Sequence, residues 1–397
     1  MHISMDQQKI EALLTRGVEN VYPNKEFLEE KLISGEQLTL YTGYDPTGPS
    51  LHIGHGITLL KLKQFQDLGH KIIMLVGDFT GMIGDPTDKS AVRQKLTREE
   101  IIENCKTYKE QAAHILDFSG ENPVELKYNG EWLAKMSFAD VIELSSNFTV
   151  QRLLERDMFQ KRIEEEKPIY LHEFLYPLMQ GYDAVVMDVD GQVGGNDQTF
   201  NMLAGRTLMK QMKQKEQFVL SMTLLADDSG KKMGKTEGNM IAFTDVPEDM
   251  FGKVMRWTDG MIIPGFTLCT TINEEKITEI RDALASGSNP RDHKLALAYA
   301  ITQTFLGDDA AEKGKAHFAQ VIQSKDVPEN ITEITPSVYD IITVLIDAGF
   351  ATSKSEAKRH IDGGGVKIND EKISNFDAQV KSGDIIQKGK RFFVKIV

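Results

Sequence analysis

Cysteine and long apolar runs are scarce in this sequence. Cys105 and Cys269 are the only cysteines among 397 residues, and they lie far apart. Neither a disulfide framework nor a cysteine metal site is therefore expected. No apolar run approaches the roughly 20 residues of a membrane-spanning helix, and the polar start, Met1–Lys9, lacks the layout of a secretory signal. These absences predict a cytoplasmic protein that has no membrane partner.

Positive charge is outnumbered by negative charge, 46 Lys and Arg against 59 Asp and Glu, and it is unevenly spread. The net charge of −13 argues, by itself, against a nucleic-acid partner. From Ser337 to Val397, however, ten Lys and Arg outnumber eight Asp and Glu, so this end carries +2 and the remainder −15. The C-terminal end is the basic pole of an acidic protein. The length and the 41% hydrophobic content predict two or three globular domains.

The first half of the chain has the pattern of an α/β fold. Strand-like and helix-like segments alternate, and strand–helix–strand units imply a parallel sheet. Two such units are expected, over 38–44, 54–68 and 71–77, and then over 184–188, 197–212 and 218–224.

The second half changes character twice. Residues 247–323 have a helical pattern, and residues 326–336 have the polar, proline-bounded composition of a linker. After them, short helices are expected over 338–348 and 353–361, and strands over 366–368 and 384–394.

A His-x-Gly-His string follows the first strand and its turn. His52 and His55 stand at the start of the helix predicted from about Gly54. A helix N-terminus favours anions, a glycine lets a nucleotide base approach the backbone, and imidazoles can donate to phosphate oxygens. Two surface histidines beside a glycine are the alternative, which this setting makes the less favoured one.

A basic, glycine-containing segment at Ser229–Thr236 provides a second candidate. It carries Lys231, Lys232 and Lys235. Mobile ammonium groups suit the charge that develops on a phosphorus atom under attack, because they can close over ATP after it binds. Most lone basic loops are solvated surface, but together with the histidine pair this one favours an ATP site.

These two segments carry a family resemblance. His52–His55 and Lys232–Thr236 resemble the HIGH and KMSKS signatures of class I aminoacyl-tRNA synthetases, and Gly234 and Thr236 form a variant familiar in the tyrosyl branch. Residues 41–47, 77–86, 176–183 and 194–198 extend the resemblance to bacterial-type tyrosyl-tRNA synthetases over nearly the whole chain. Thr42 and Tyr44 differ from the commoner residues of that family.

The resemblance implies a tyrosine site. Tyr176, Gln180 and Asp183 are spaced to share one helix face; alone, that spacing would suit a solvated polar face equally well. In the family's pattern, Asp85, Tyr176 and Gln180 hold the ammonium, while Asp183 and Tyr41 meet the phenol. Buried acceptors left unpaired would reject phenylalanine. Tryptophan is the nearest competitor, and a tyrosine opposite Asp183 favours a phenol.

The resemblance also implies an adenylate site. It assigns Asp197 to the ribose and Gln198 to the bound amino acid, while Gly195 allows close backbone approach. Asp45 and Thr47, in the turn before the histidines, are expected to face substrate and phosphate. The remaining expected adenylate contacts are Gly54 and Met233.

Two further basic regions are candidates for RNA contact. Lys89 and Arg93 could contact pyrophosphate or the tRNA acceptor end, although a solvated charged loop explains them nearly as well. Lys354, Lys358 and Arg359 lie on one short predicted helix. The end of the chain resembles a small RNA-binding domain shared with a ribosomal protein and pseudouridine synthases; a small solvated domain is the alternative.

The resemblance implies a Rossmann-like catalytic domain (1–236), a helical anticodon-recognition domain (237–325), the linker (326–336) and a small α+β RNA-binding domain (337–397). It implies a homodimer. Phe, Leu and Ile at helical spacing make Ser137–Ile163 a candidate interface, although such spacing more often indicates a core. Its substrates would be tyrosine, ATP with Mg²⁺, and tRNA(Tyr), and no protein-bound metal is expected. A nucleotidyltransferase with a similar histidine motif and an inactive RNA-binding paralogue remain alternatives.

Overall fold

The chain forms two compact units. The computed structural model describes residues 3–86, 96–227, 230, 240–323, 331–369, 371–389 and 392–397. The first unit spans residues 1–318 and the second 319–397. In the described part of the chain, no helix combines the length and apolar character needed to cross a bilayer.

A six-stranded sheet forms the centre of the first unit. Its strands are β1 (Val18–Tyr22), β2 (Thr39–Tyr44), β3 (Lys71–Val76), β4 (Glu125–Tyr128), β5 (Gly191–Gly195) and β6 (Phe218–Met222). Their order is β1-β6-β5-β2-β3-β4. All neighbours are parallel except β1, which pairs antiparallel with β6.

Helices flank this sheet and fill the rest of the unit. Those up to the last strand are α1 (Gln7–Thr15), α2 (Lys25–Ile33), α3 (Ile53–Asp67), α4 (Thr80–Ile83), α5 (Arg98–Cys105), α6 (Tyr108–Ala112), α7 (Gly130–Leu133), α8 (Phe138–Ser145), α9 (Val150–Leu154), α10 (Asp157–Glu164), α11 (Leu171–Met187) and α12 (Thr199–Leu208). A 3-10 turn (Asn196–Gln198) precedes α12, and a π turn (Met209–Lys213) comes after it.

The sheet order places a switch point at β2. From β2 the chain crosses through α3 to β3 on one side, whereas β5 pairs with the other side of β2. Parallel sheets bind ligands beyond the carboxyl ends of their strands at such a point. The predicted Rossmann-like α/β fold is confirmed, and it fixes the edge at which a site is expected.

One predicted strand is wrong. Residues 184–187 continue the long helix α11, and the strand lies further on at Gly191–Gly195. Ala184 and Val185 are buried on the helix rather than in the sheet. The actual strand is poor in β-forming residues, because Gly191 lies under the ring of Phe218 where a side chain would not fit.

The helical segment after the sheet packs on the same core. It contains α13 (Pro247–Met255), a 3-10 turn (Asp259–Met261), α14 (Ile262–Cys269), α15 (Glu274–Ala285), α16 (Pro290–Leu306) and α17 (Asp308–Gln323). Gly56 of α3 lies against the ring of Phe305 in α16, so the helix that carries the histidines is packed directly on this segment. No strand interrupts it between 247 and 323, as its pattern predicted.

The second unit is a small α+β fold. It contains α18 (Ile341–Asp347), α19 (Lys354–Asp362), β7 (Thr332–Ile334), β8 (Val366–Ile368), β9 (Glu371–Lys372), β10 (Ile385–Lys388) and β11 (Phe392–Ile396). The sheet order is β7-β11-β10-β8-β9. Two details differ from expectation: β7 lies inside the range predicted as a linker, and the strand predicted over 384–394 is a hairpin of β10 and β11.

Candidate active site

In the described part of the first unit, several polar residues and a glycine lie at the carboxyl edge of the parallel strands. Asp45 follows β2, Gly77 follows β3, Asn129 follows β4 and Asp197 lies just beyond β5. Because parallel strands end at one edge, residues more than 100 positions apart in sequence meet there.

Asp183 is an almost fully enclosed acid at this edge. Its side chain is 2% exposed and accepts hydrogen bonds from Trp132 Nε1 (2.7 Å) and Asn129 Nδ2 (3.2 Å). Tyr41, fully buried on β2, donates its hydroxyl to the carbonyl of Gln180, one helical turn before Asp183. The carboxylate is therefore held rigidly, beside a buried phenol, in a position where it can accept from a ligand.

Asp45 lies in a second polar cluster. Thr80 Oγ1 donates to one of its carboxylate oxygens (2.6 Å), and Tyr176 Oη donates to the other (2.7 Å). Asn129 Nδ2 also donates to Thr80 Oγ1 (3.0 Å), so the Asp45 and Asp183 clusters share one hydrogen-bond network. Helix α11 thus presents Tyr176 and Asp183 on one face, as their spacing predicted.

Asp85 and Gln198 form a third group. Gln198 Nε2 donates to Asp85 Oδ2 at 2.6 Å, and Asn201 Nδ2 in turn donates to Gln198 Oε1. The guanidinium of Arg156 is 5% exposed and lies 3.9 Å from Asp85 Oδ1, over the ring of Phe200. This group brings an anion to the rim of the pocket, where an ammonium could be bound.

The two histidines form a stacked pair at the start of α3. Their ring centroids are 3.7 Å apart, with planes inclined by 19°. His52 Nδ1 accepts from the backbone N–H of Gly54, and His55 Nδ1 accepts from that of His52. A neutral ring that accepts at Nδ1 carries its proton on Nε2. Burial, and then proximity to His52, lowers the pKa of His55 well below its ordinary value, so its ring is neutral.

The lysine segment leads into a stretch that lies beside the histidine motif. Lys232, Met233 and Lys235 themselves lie outside the described residues, as do Lys89 and Arg93. Downstream, Ile241 accepts from the backbone N–H of Ile53, and Phe243 donates to the carbonyl of Leu51. The chain is therefore next to the start of α3 five residues after Thr236.

Sequence reasoning missed four residues of the site: Asn129, Trp132, Thr80 and Arg156. Each acts on a predicted residue through a contact that bridges at least 35 positions. Thr80 lies within residues 77–86, which carry the family resemblance, but it was given no role there. Only Asn129 could have been predicted from the sequence, because it directly follows a strand, and polar residues in that position of a parallel sheet lie at the edge where ligands bind.

The candidate RNA-binding residues lie in the second unit. Lys354, Lys358 and Arg359 are all exposed on α19, whose opposite face buries Ala357 and Ile361 in the core of that unit. Three cations on the solvent side of one helix give α19 a basic outer face.

Two acids of the site have pKa values raised by burial. The pKa of Asp45 is about 6 and that of Asp183 about 8, in each case because burial outweighs the hydrogen bonds that favour the charged form.

These shifts predict a pH dependence of stability. A carboxyl with a folded-state pKa above its unfolded value stabilises the fold fully below the unfolded pKa, and that contribution is lost as pH rises to the folded pKa. We expect the free energy of unfolding of the wild type to fall, relative to Asp183→Asn, between about pH 4 and pH 8. Urea titrations at a series of pH values measure it; parallel curves for the two proteins would contradict the assignment.

A parallel sheet whose switch point meets a helix that begins with His-x-Gly-His is the arrangement of class I aminoacyl-tRNA synthetases. Residues 34–323 match the family described as tRNA synthetases class I (W and Y), the tryptophan and tyrosine enzymes. Residues 318–395 match the tyrosine–tRNA ligase SYY-like C-terminal domain.

Similar proteins identify the branch. The tyrosine–tRNA ligase of Thermotoga maritima is 44% identical over 97% of this chain and 96% of its own. That of Idiomarina loihiensis is 44% identical over 97% of each. The mitochondrial tyrosyl-tRNA synthetase of Coccidioides posadasii has a TM-score of 0.64 at 25% identity, covering 78% of this chain and 91% of that chain. The tyrosyl-tRNA synthetase of Archaeoglobus fulgidus, solved with L-tyrosine, shares the fold, with a TM-score of 0.61 at 23% identity over 78% and 99%.

The chain belongs to the class I aminoacyl-tRNA synthetases and, within them, to the tyrosine–tRNA ligases. The predicted family, fold class and enzyme class are confirmed. The nucleotidyltransferase and inactive-paralogue alternatives have no support in these comparisons.

Proposed function

We propose that this chain activates tyrosine with ATP, giving tyrosyl-adenylate and pyrophosphate, and transfers the tyrosyl group to the terminal ribose of tRNA(Tyr). The observation that carries the choice of amino acid is the buried Asp183, held by Trp132 and Asn129 beside Tyr41. An acceptor enclosed in this way suits a phenol and leaves phenylalanine without a partner for it.

The amino group of tyrosine is bound by the cluster around Asp45 and by the group of Asp85 and Gln198. Asp85 provides the charge, and Tyr176, Gln180 and Gln198 line the same region through helix α11 and the 3-10 turn. The hydrogen bond from Tyr176 to Asp45 orients the Tyr176 oxygen, so its lone pair is available to the ammonium.

The phosphates of ATP are contacted by His52, His55, Lys232, Lys235 and Thr47. In this proposal the imidazole Nε2–H groups donate to phosphate oxygens as pyrophosphate departs. The adenylate contacts are Asp45, Gly54, Gly195, Asp197 and Met233. Mg²⁺ accompanies ATP and is held mainly by phosphate oxygens, as this hard cation prefers. No side chain acts as a nucleophile, and catalysis comes from positioning and charge stabilisation.

Two assays test the proposed reaction. In the first, we expect ATP–pyrophosphate exchange that depends on tyrosine and not on phenylalanine or tryptophan. In the second, we expect charging of tRNA(Tyr) with tyrosine. Exchange that depends on tryptophan would redirect the proposal to the sister branch of the family, and exchange with none of the three would overturn it.

The tRNA contacts are proposed in two places. Lys89 and Arg93 serve the pyrophosphate or acceptor end, and Lys354, Lys358 and Arg359 serve the RNA backbone. The division into catalytic (1–236), helical (237–325) and small RNA-binding (337–397) parts, joined near 326–336, remains a prediction. Basic side chains on one exposed helix face support backbone contact rather than base reading.

Neutralising that face is expected to affect charging alone. The triple variant Lys354→Ala, Lys358→Ala and Arg359→Ala should raise KM for tRNA several-fold and lower the salt dependence of binding by up to about three counterions. Pyrophosphate exchange should not change. The charge-preserving variant Lys354→Arg, Lys358→Arg and Arg359→Lys is the control; if its KM for tRNA rises equally, simple phosphate contact is wrong.

We propose that the protein acts as a homodimer in the cytoplasm. Apolar side chains stand exposed on α8, α9, α10 and the start of α11, within and just beyond the predicted interface. They are Phe138 (80% exposed), Ile142, Val150, Ile163, Tyr170 and Leu171 (78%). Several large apolar side chains exposed within one short stretch of the chain are typical of an association surface, and a second copy of the chain is the occupant we assign to this face.

Placing a charge on this face is expected to give monomers. Phe138→Asp should shift the sedimentation coefficient from dimer to monomer, because an ionised carboxylate would be buried in the interface. Val246→Asp is the control: Val246 is 55% exposed and precedes α13, where an aspartate suits the helix start. If the two variants sediment alike, the face is not the dimer interface.

A further inference from the structure

Tyr44 lies between the strand of the tyrosine pocket and the histidine motif, although no role falls to it in the proposed chemistry. It is the last residue of β2, directly before Asp45, and it is 4% exposed. Its ring meets His55 edge-on, with centroids 5.3 Å apart and planes inclined by 82°. This edge-to-face arrangement is the favourable one for two aromatic rings.

The hydroxyl of Tyr44 makes a second connection to the same histidine. Tyr44 Oη lies 2.8 Å from Thr58 Oγ1, and Thr58 Oγ1 donates to the carbonyl of His55 at 2.8 Å. Because a threonine hydroxyl has one proton, the Tyr44 hydroxyl must be the donor in the first bond. A buried chain of hydrogen bonds therefore runs from the end of β2 into the first turn of α3 and ends on the backbone of His55.

These contacts constrain the orientation of the histidine pair. His55 is stacked on His52 and accepts at Nδ1 from the His52 backbone. Tyr44 packs in a T-shaped arrangement against the same His55 ring. Rotation of His55 about its side-chain bonds would break the ring contact, the stack and the Nδ1 hydrogen bond together. Its Nε2–H is thereby held in one direction before ATP binds.

We propose that Tyr44 is a positioning residue for adenylate formation: it fixes His55, and through the stack His52, in the orientation that donates to the phosphates of ATP. The inference rests on the proposed role of His55. It assigns Tyr44 an effect on the rate of the chemical step rather than on tyrosine binding, since its hydroxyl is used within the protein.

Four variants separate the two contacts. Tyr44→Leu removes both the ring edge and the hydroxyl, and we expect about a tenfold lower rate constant for tyrosyl-adenylate formation, with the dissociation constant of tyrosine changed by less than about twofold. Tyr44→Phe and Thr58→Val each break only the hydrogen-bond chain, and about a threefold loss is expected for each. The double variant Tyr44→Phe with Thr58→Val should lose no more rate than either single variant, because all three break the same chain of hydrogen bonds.

Two controls exclude a general effect on folding. Thr302→Val removes a buried helical hydroxyl that bonds to the carbonyl four residues earlier in α16, far along the chain from the site. Its adenylate rate should equal that of the wild type. Unfolding temperatures are measured for every variant, and if Tyr44→Leu does not fold, Tyr44→Phe and Thr58→Val decide the question alone.

The His55→Ala background decides whether Tyr44 acts through this histidine. In that background Tyr44→Leu should lower the rate by less than about twofold. An undiminished tenfold loss there, or a loss of tyrosine affinity in place of rate, would overturn the assignment of Tyr44. If His55→Ala alone leaves the rate intact, the proposed role of His55 is itself wrong; the two failures are therefore distinguishable.

Discussion

Asp183→Asn is expected to lower kcat/KM for tyrosine in pyrophosphate exchange by about a hundredfold or more, while activity with phenylalanine changes little. The asparagine keeps one acceptor for Trp132 but turns an amide N–H₂ towards Asn129, which is also a donor there. A buried donor without a partner costs about 1–3 kcal/mol, and the lost charge-assisted bond to the phenol adds a similar amount. Discrimination against phenylalanine should therefore collapse.

Trp132→Phe is the matched control for this variant. It removes one donor to Asp183 and keeps an aromatic ring and the carboxylate itself. A smaller loss, with selectivity for tyrosine retained, is expected because the phenol keeps its acceptor. Equal losses of tyrosine and phenylalanine activity in Asp183→Asn would mean that Asp183 supports the pocket wall rather than selecting the substrate.

Gly77→Ala is expected to abolish most tyrosine activation, with a loss of about a hundredfold. A Cβ at this position would overlap both Oδ1 of Asp45 and Oγ1 of Thr80, which are hydrogen-bonded to each other. Asp45 could move only by breaking its hydrogen bonds to Thr80 and Tyr176. Tyr176, which is proposed to contact the ammonium of tyrosine, would then lose the bond that orients its hydroxyl. A misplacement of about 1 Å can cost a hundredfold in rate.

Gly252→Ala provides the comparison. This glycine lies inside α13, and among the described residues no other part of the chain comes within 4 Å of the position that a Cβ would take, so the same substitution fits there. Full activity and a gain of about 1 kcal/mol in stability are expected from helix propensity. Adenylate rates and urea midpoints of both variants check the pair; a Gly77→Ala protein with a normal adenylate rate would show that Asp45 tolerates the displacement.

The long-range pairs at the site could not be predicted from single segments. Residues 176, 180 and 183 share a helix face because 3.6 residues make a turn, so their spacing alone indicated that Tyr176 and Asp183 point the same way. Nothing local indicated that Trp132 and Asn129 would hold Asp183, or that Thr80 would hold Asp45. Such contacts depend on which strands are neighbours, and strand order is not a local property.

The wrong strand at 184–188 has a related cause. Val185, Val186 and Met187 form an apolar run that suits a buried strand, and a helix that is buried on one side can contain the same run. The true strand, Gly191–Gly195, contains three glycines because neighbouring groups occupy the space of their side chains, as Phe218 does at Gly191. The strand propensities of individual residues contain no information about whether a distant segment occupies the space beside them.

The family, the α/β class and the histidine and lysine motifs could be read from the sequence, because they depend on residue types at short, fixed spacings. The surroundings of each group came from the folded chain: the neutral, Nε2-protonated histidine pair, the raised pKa values of Asp45 and Asp183, and the contact of Tyr44 with His55. Charge state and orientation depend on desolvation and on hydrogen-bond partners. Folding brings those partners from distant segments to one edge of the sheet.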